Sequence, residues 1–338
     1  MLAARLRNQR LARPIASSAT EVVAWFGAVQ AQEYGPARWG VGQRVKGRTD
    51  ADVARAFDAG DILRTHAMRP TWHFVAPADI RWLQALTGPR VRAASASVLR
   101  ANELDARVLS RSRAVIARAL EGGTFLTRQE IRAALARARI IASTQRLAYI
   151  VMDAELEALI CSGPVRGKQF TYALVDERAP RAAAKDRDDA LGELARRYFQ
   201  SHGPATVRDF VWWSGLTVRE ARLSIEIARL VKRADDGVEY WNATGARASG
   251  VEAASAHLLP IYDEYVNAYR DRGLLFTASP PADVLFMHYL IVDGRYAGTW
   301  KSSADGSAIT TSTGARLSAA QKAALDQAAR RYAAFQAG

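Results

Sequence analysis

The sequence predicts a mainly helical α+β chain in which tandem winged-helix modules, helices carrying β-hairpin wings, precede a smaller β-rich module. Three observations predict it. The order helix, turn, longer helix, β-hairpin recurs about three times along the 338 residues. Cap residues and glycine or proline breaks bound the helical stretches. Alternating apolar residues flank Asp-Gly and Gly-Lys turns where the hairpins are expected.

The first module with its connecting helices is placed at residues 1–120. Thr20 opens a helix predicted to run to about Gln32, and further helices are predicted over 37–43 and 50–59. Strand-like residues 62–65 and 71–75 then flank His66-Ala67-Met68-Arg69-Pro70. The second module occupies 121–185: Thr127 and Glu130 form a capping box for a helix over 128–138. Ser143 and Thr144 cap a longer helix whose apolar positions include Leu147, Ile150, Val151 and Ala154, stopped by Gly163-Pro164. A hairpin around Gly167-Lys168 is expected over 165–176.

The third module, 186–249, repeats this order. A helix ends at His202-Gly203-Pro204, Thr206 and Thr217 cap two more, and Asp235-Asp236-Gly237 turns a hairpin within 231–242. The fourth region, 250–338, changes character, with strands at 284–292 and 296–301 around Asp293-Gly294-Arg295 and a closing helix capped by Ser318.

Composition narrows the function. Lys and Arg total 47 against 34 Asp and Glu, a net charge of +13. The excess gathers in residues 1–48 and 90–146, and arginine supplies 41 of the cations. Such a balance suits a polyanion, and arginine suits bidentate phosphate contacts. No apolar run of membrane-spanning length and no signal-peptide pattern occurs, so no membrane partner is expected and the chain is expected in the cytoplasm, at the nucleoid when on DNA. Cys161 is the one cysteine and the five histidines lack ligand spacing, so neither a metal nor another cofactor is expected. Glycine-rich phosphate loops, His-Glu-x-x-His and Gly-x-Ser-x-Gly are all absent.

One short segment offers chemistry: Gln30-Ala31-Gln32, just before Gly35-Pro36. On a helix, residues two apart point about 200° apart, and by physics alone two solvent-facing glutamines at a helix end is the favoured reading. A frayed last turn would be needed for both amides to face one cavity.

A resemblance changes that balance. Residues 24–32 (Ala-Trp-Phe-Gly-Ala-Val-Gln-Ala-Gln) followed by Ala37-Arg38-Trp39-Gly40-Val41-Gly42 resemble the N-terminal signature of the AlkZ-like winged-helix DNA glycosylases. Thr65-His66-Ala67-Met68-Arg69-Pro70-Thr71-Trp72-His73 resembles a second block, and residues 258–272 and 293–300 resemble C-terminal ones. The resemblance implies winged helices around a concave DNA-binding surface and a small C-terminal β-barrel. It implies a monofunctional glycosylase for N7-alkylated purines, able in some members to unhook interstrand crosslinks, as repair or as self-resistance to a genotoxic metabolite. Gln30 and Gln32 match the Gln-φ-Gln catalytic motif, with Ala31 a minimal apolar φ residue. Contacts to double-stranded DNA are expected at Arg38, Arg44, Arg69, Thr71 and His73, by a protein acting as a monomer. The alternative from another class is a non-catalytic winged-helix DNA-binding protein or transcription regulator.

Overall fold

The computed structural model describes residues 1–243, 254–276, 286–303, 306, 308–314 and 316–338. The chain opens with α1 (Leu2–Asn8), α2 (Ala19–Phe26), β1 (Val29–Gln30), α3 (Tyr34–Gly42), α4 (Asp50–Ala59) and the hairpin β2 (Leu63–Ala67)–β3 (Arg69–Val75). Ser18 caps α2 by accepting from the Glu21 amide, and Thr49 and Asp52 cap α4 reciprocally. These bonds satisfy amides that have no partner within a helix. The three strands form one sheet in the order β1-β3-β2.

The helix expected to reach Gln32 stops at Phe26. Gly27 adopts φ +83°, a conformation side-chain-bearing residues rarely take, and its amide closes the helix on Val23 and Ala24. The next residues then pair with β3, Val29 opposite Phe74 and Gln30 opposite His73.

Helices α5 (Ile80–Ala94), α6 (Ala96–Ala101) and α7 (Ala106–Leu120) lead into β4 (Leu126–Thr127), α8 (Arg128–Arg137), α9 (Thr144–Leu156), β5 (Ile160–Ser162) and β6 (Thr171–Leu174). The capping box of Thr127 and Glu130 forms. Two expectations shift here. The helix α9 ends well before Gly163, because Ala158 turns left-handed at φ 52° and residues 160–162 join a sheet ordered β4-β6-β5. Gly167 does turn the chain, but it closes only an isolated Arg166–Gln169 bridge, and the ladder of β6 is made with β5 instead.

Next come α10 (Val175–Arg178), α11 (Arg187–His202), α12 (Val207–Ser214), α13 (Val218–Ile227) and the hairpin β7 (Val231–Asp235)–β8 (Val238–Asn242), turned by Asp236 and Gly237 at positive φ. Thr206 with Asp209 and Thr217 with Glu220 complete capping boxes. The chain continues through β9 (Ala256–Leu259), α14 (Glu264–Asn267), β10 (Tyr289–Val292), β11 (Arg295–Ser302), β12 (Ile309–Thr313) and α15 (Ala319–Gln336). The boundary placed at 249/250 and the strand start at 284 lie outside the described residues.

The expected small barrel is corrected: among the described residues, β12-β11-β10-β9 is an open four-stranded antiparallel sheet. Tyr332 and Phe335 of α15 meet Trp39 and Trp300 in edge-on and tilted ring contacts, so a helix rather than further strands covers that apolar face.

Two of the apolar cores cross the expected module boundaries. One joins Leu63, Met68 and Val75 to Tyr198, Phe210 and Trp213, and to Tyr269. Another joins Phe26, Trp39 and Phe74 to Leu258, Leu290 and Trp300. The core around Ile116, Leu135 and Ile150 belongs to the second module and its approach helix.

Arg44, expected at the DNA, belongs to this interior. Its guanidinium is 1% exposed and spends all five N–H groups on Gln9, Gly40 and a two-pronged pair with Asp263 at 2.7 and 2.8 Å. It therefore has no donor left for a phosphate, and it pins the end of α3 to the turn before α14. Arg44→Met should lower stability in denaturant melts by about 3–5 kcal/mol, since it strands the Asp263 carboxylate in the interior. Its DNA affinity, measured on the folded variant, should stay at the wild-type value.

Candidate active site

In an extended strand, residues two apart share a face, whereas on a helix they diverge. Here the chain runs extended through β1, which ends at Gln30, and both glutamines are set beside β3. Ala31 between them is fully buried and its amide donates to Trp72 O at 2.8 Å, while both glutamines remain partly exposed. Across the sheet, Gln30 lies opposite His73, so the alternating residues Arg69, Thr71 and His73 of β3 occupy the same face.

Both carboxamides are held. Arg69 Nη2 donates to Gln30 Oε1 at 3.2 Å, and the Trp72 amide donates to Gln32 Oε1 at 3.3 Å. Arg64 reaches the backbone between them, its Nε on Ala31 O and its Nη2 on Gln32 O. Behind the motif sits Glu264, 2% exposed, whose Oε1 accepts from the Gln30 amide at 2.7 Å. Its Oε2 accepts from the Trp213 indole at 2.9 Å and faces His202 Nε2 at 3.2 Å. Arg69 and Glu264 thus hold opposite ends of one residue, the side-chain oxygen and the main-chain nitrogen.

Burial pushes the Glu264 carboxyl up, but His202 and the Gln30 amide outweigh it and hold the group below the usual carboxylate range. Burial also holds His202 below the usual imidazole value. His73 is pushed down to about 3 by burial, and the nearby Arg69 adds to the shift. Its Nδ1 lies 3.0 Å from Thr71 O and donates there as the neutral ring, leaving a buried Nε2 without a protein partner. Thr71 Oγ1 and Arg69 Nε are likewise buried, and none of these three atoms has a hydrogen-bond partner among the described residues. Burial thus holds both imidazoles down, and the carboxyl behind the motif is held down as well, beside two carboxamides and the Arg69 guanidinium. None of them can protonate a departing group near neutral pH.

Of the residues singled out in the sequence, Gln30, Gln32, Arg69, Thr71 and His73 converge here. Arg38 does not: it pairs with Asp50 at 3.0 Å on α3. Arg44 is interior, as described above. Sequence reasoning missed Glu264, His202 and Trp213. Glu264 stood inside the 258–272 block, but its bond to Gln30 spans 234 positions, and no local pattern announces such a partner. No group of three His, Cys, Asp or Glu among the described residues could hold a metal ion. No helix among them is long and apolar enough to cross a membrane.

A sequence model of the AlkZ-like family, described as DNA glycosylase AlkZ-like, matches residues 23–335. A protein of Streptomyces sahachiroi named interstrand DNA cross-link repair glycosylase is 28% identical over 222 residues. That match covers 63% of this chain and 59% of the relative's length. The solved structure of the DNA glycosylase AlkZ from Streptomyces sahachiroi superposes with a TM-score of 0.84 at 20% identity, covering 99% of this chain and 95% of that one. This last likeness is one of fold.

Because Glu264 is held below its unfolded value, it stabilises the protein above the ordinary carboxylate range, and that contribution is lost as pH falls through its depressed pKa. The stability gap between wild type and Glu264→Gln should therefore be widest near neutrality and narrow as pH drops below about 4. Denaturant melts of both proteins across acid pH measure it. A gap that widens on acidification would show that the carboxyl is buried in its neutral form.

Proposed function

The chain belongs to the AlkZ-like DNA glycosylase family, and we propose that it hydrolyses the N-glycosidic bond of N7-alkylated purines in duplex DNA, with Gln30 and Gln32 as its catalytic residues. One observation carries this reading: both carboxamides are held against β3, by Arg69 and by the Trp72 amide, beside a histidine that burial pushes down to about 3 and that therefore cannot protonate a leaving group. An unmodified purine needs that proton. Alkylation at N7 already places positive charge on the base, so the base departs without it.

The remaining demands are a placed water and stabilisation of the cationic sugar, because glycosidic cleavage passes through an oxocarbenium-like state. A carboxamide oxygen can do both, as an acceptor for water and as the negative end of a dipole. Arg69 occupies one acceptor direction of Gln30 Oε1 and the Trp72 amide one direction of Gln32 Oε1. A carbonyl oxygen has two such directions, so one remains on each. Fixing the amides in advance removes the cost of orienting them during reaction. Glu264 supports the strand from behind and does not touch the reacting atoms.

We read the order of α2, β1, α3, α4 and the β2–β3 hairpin as a winged helix, and the segments around α8–β6 and α12–β8 likewise. We read these as three modules that present a concave surface to the duplex. The printed name of the Streptomyces relative motivates extending the substrates to interstrand crosslinks, whose unhooking would serve repair or self-resistance to a genotoxic metabolite. The protein is proposed to act as a monomer, without a metal.

Gln30→Ala and Gln32→Ala should each slow single-turnover excision of N7-methylguanine about a hundredfold while changing duplex affinity only a few-fold. Gln32→Asp should keep part of the activity, since a carboxylate can still order water. Released base, together with alkali-labile abasic sites in the strand, reads the reaction. Excision at the wild-type rate by both alanine variants would remove the glutamines from the chemistry.

Affinity for undamaged duplex should fall steeply with salt. About six phosphate contacts correspond to a loss of about a thousandfold between roughly 50 and 200 mM. Binding titrations over that range check it, and a flat response would contradict a phosphate-based interface.

A further inference from the structure

On the other side of the β1–β3–β2 sheet lies a cavity of about 470 Å³ between the first and second modules. Its cations are Arg64, Arg128, Arg132 and Lys168. Among the described residues none of the four makes an ion pair with a carboxylate. Neighbouring cations repel one another, and an anionic occupant would relieve that repulsion.

The wall facing these cations is aromatic. Trp72 and Phe170 line the cavity with Tyr172, and the Arg64 guanidinium lies 4.4 Å from the Trp72 ring and 4.8 Å from that of Phe170. Among the described residues, Arg64 Nη1 makes no hydrogen bond, while Nε and Nη2 bond to Ala31 O and Gln32 O. Thr127, Arg128 and Gln129 bring the start of α8 to the cavity wall. An anion beside flat apolar surface is the chemistry of a nucleotide, and the volume is of nucleotide size. A bare phosphate would leave the aromatic wall unused, and an apolar ligand would leave the cations unanswered.

We propose that this cavity holds one nucleotide extruded from the bound duplex, its phosphate against Arg128, Arg132 and Lys168 and its base against Trp72 and Tyr172. The cavity is one residue from the catalytic motif, since Arg64 and Trp72 both line it and both bond to Gln32. The inference rests on the reading of the chain as a duplex-DNA glycosylase, and it deepens that reading. Withdrawing a nucleotide near the lesion would open the duplex for water and for the glutamines.

The test compares binding of a fully paired duplex with that of the same duplex carrying one unpaired nucleotide. It uses wild type, an Arg128→Ala/Arg132→Ala double variant, and Gln129→Trp, which fills the cavity without removing charge. Wild type should prefer the unpaired form by about tenfold or more, and both variants should bind the two forms nearly equally. Equal binding by wild type, or a preference that survives in both variants, would overturn the assignment. The mononucleotide dAMP is titrated in parallel, because a free nucleotide carries the same chemistry. Tight dAMP binding without any preference between duplexes would assign the cavity to a free nucleotide and also overturn the proposal. Excision of N7-methylguanine by the same wild-type preparation separates the two readings. Excision without the preference leaves the glycosylase standing and the cavity proposal refuted, whereas the preference without excision does the reverse.

Discussion

A buried carboxylate organises this molecule. Glu264 is almost inaccessible to water, and removing a charge from water costs several kcal/mol unless partners compensate. Three N–H groups from distant parts of the chain supply that compensation: the Gln30 amide, the Trp213 indole and the His202 ring. They come from the N-terminal sheet, from α12 and from the end of α11, while Glu264 itself opens α14. Satisfying one acid therefore fixes where four elements meet. The neighbouring Asp263 does the same for α3 through Arg44, so two consecutive acids hold the C-terminal segment against the N-terminal module.

The consequence for chemistry runs through Gln30. Its backbone is tied to Glu264 and paired with β3, which makes the segment extended and sets the glutamines beside β3. Arg69 then fixes the Gln30 side chain, and the Trp72 amide fixes that of Gln32. Groups so weakly basic suit a substrate that is already activated, which is the logic of the proposed reaction. Across the sheet, Arg64, Arg128, Arg132 and Lys168 gather in the cavity between modules.

Much of this fold was legible in sequence because its signals are local. Thr127 with Glu130, Thr206 with Asp209, and Ser318 with Gln321 cap helices within three residues of themselves. Asp236-Gly237 and Asp293-Gly294 turn hairpins through their own positive φ angles. The conformation of Gln30-Ala31-Gln32 was not legible, since a helical pattern before it runs smoothly into the motif. Gly27 and the distant β3 decide that the helix stops and the chain pairs as a short strand ending at Gln30. The same limit explains Arg44, basic and near the motif in sequence yet answered by Asp263, 219 positions away. It also explains why the last sheet is open among the described residues, because only the docking of α15 decides how that sheet covers its apolar face.

The central claim is that the Gln30 carboxamide acts on the glycosidic bond and that Arg69 acts through it. A double-mutant cycle on single-turnover excision of N7-methylguanine, with enzyme saturating over DNA, tests this most directly. Arg69→Met and Gln30→Ala should each slow excision, and the double variant should be no slower than the slower single one. Effects that multiply in the double variant would mean that the two residues act independently, and the account of a held carboxamide would be wrong.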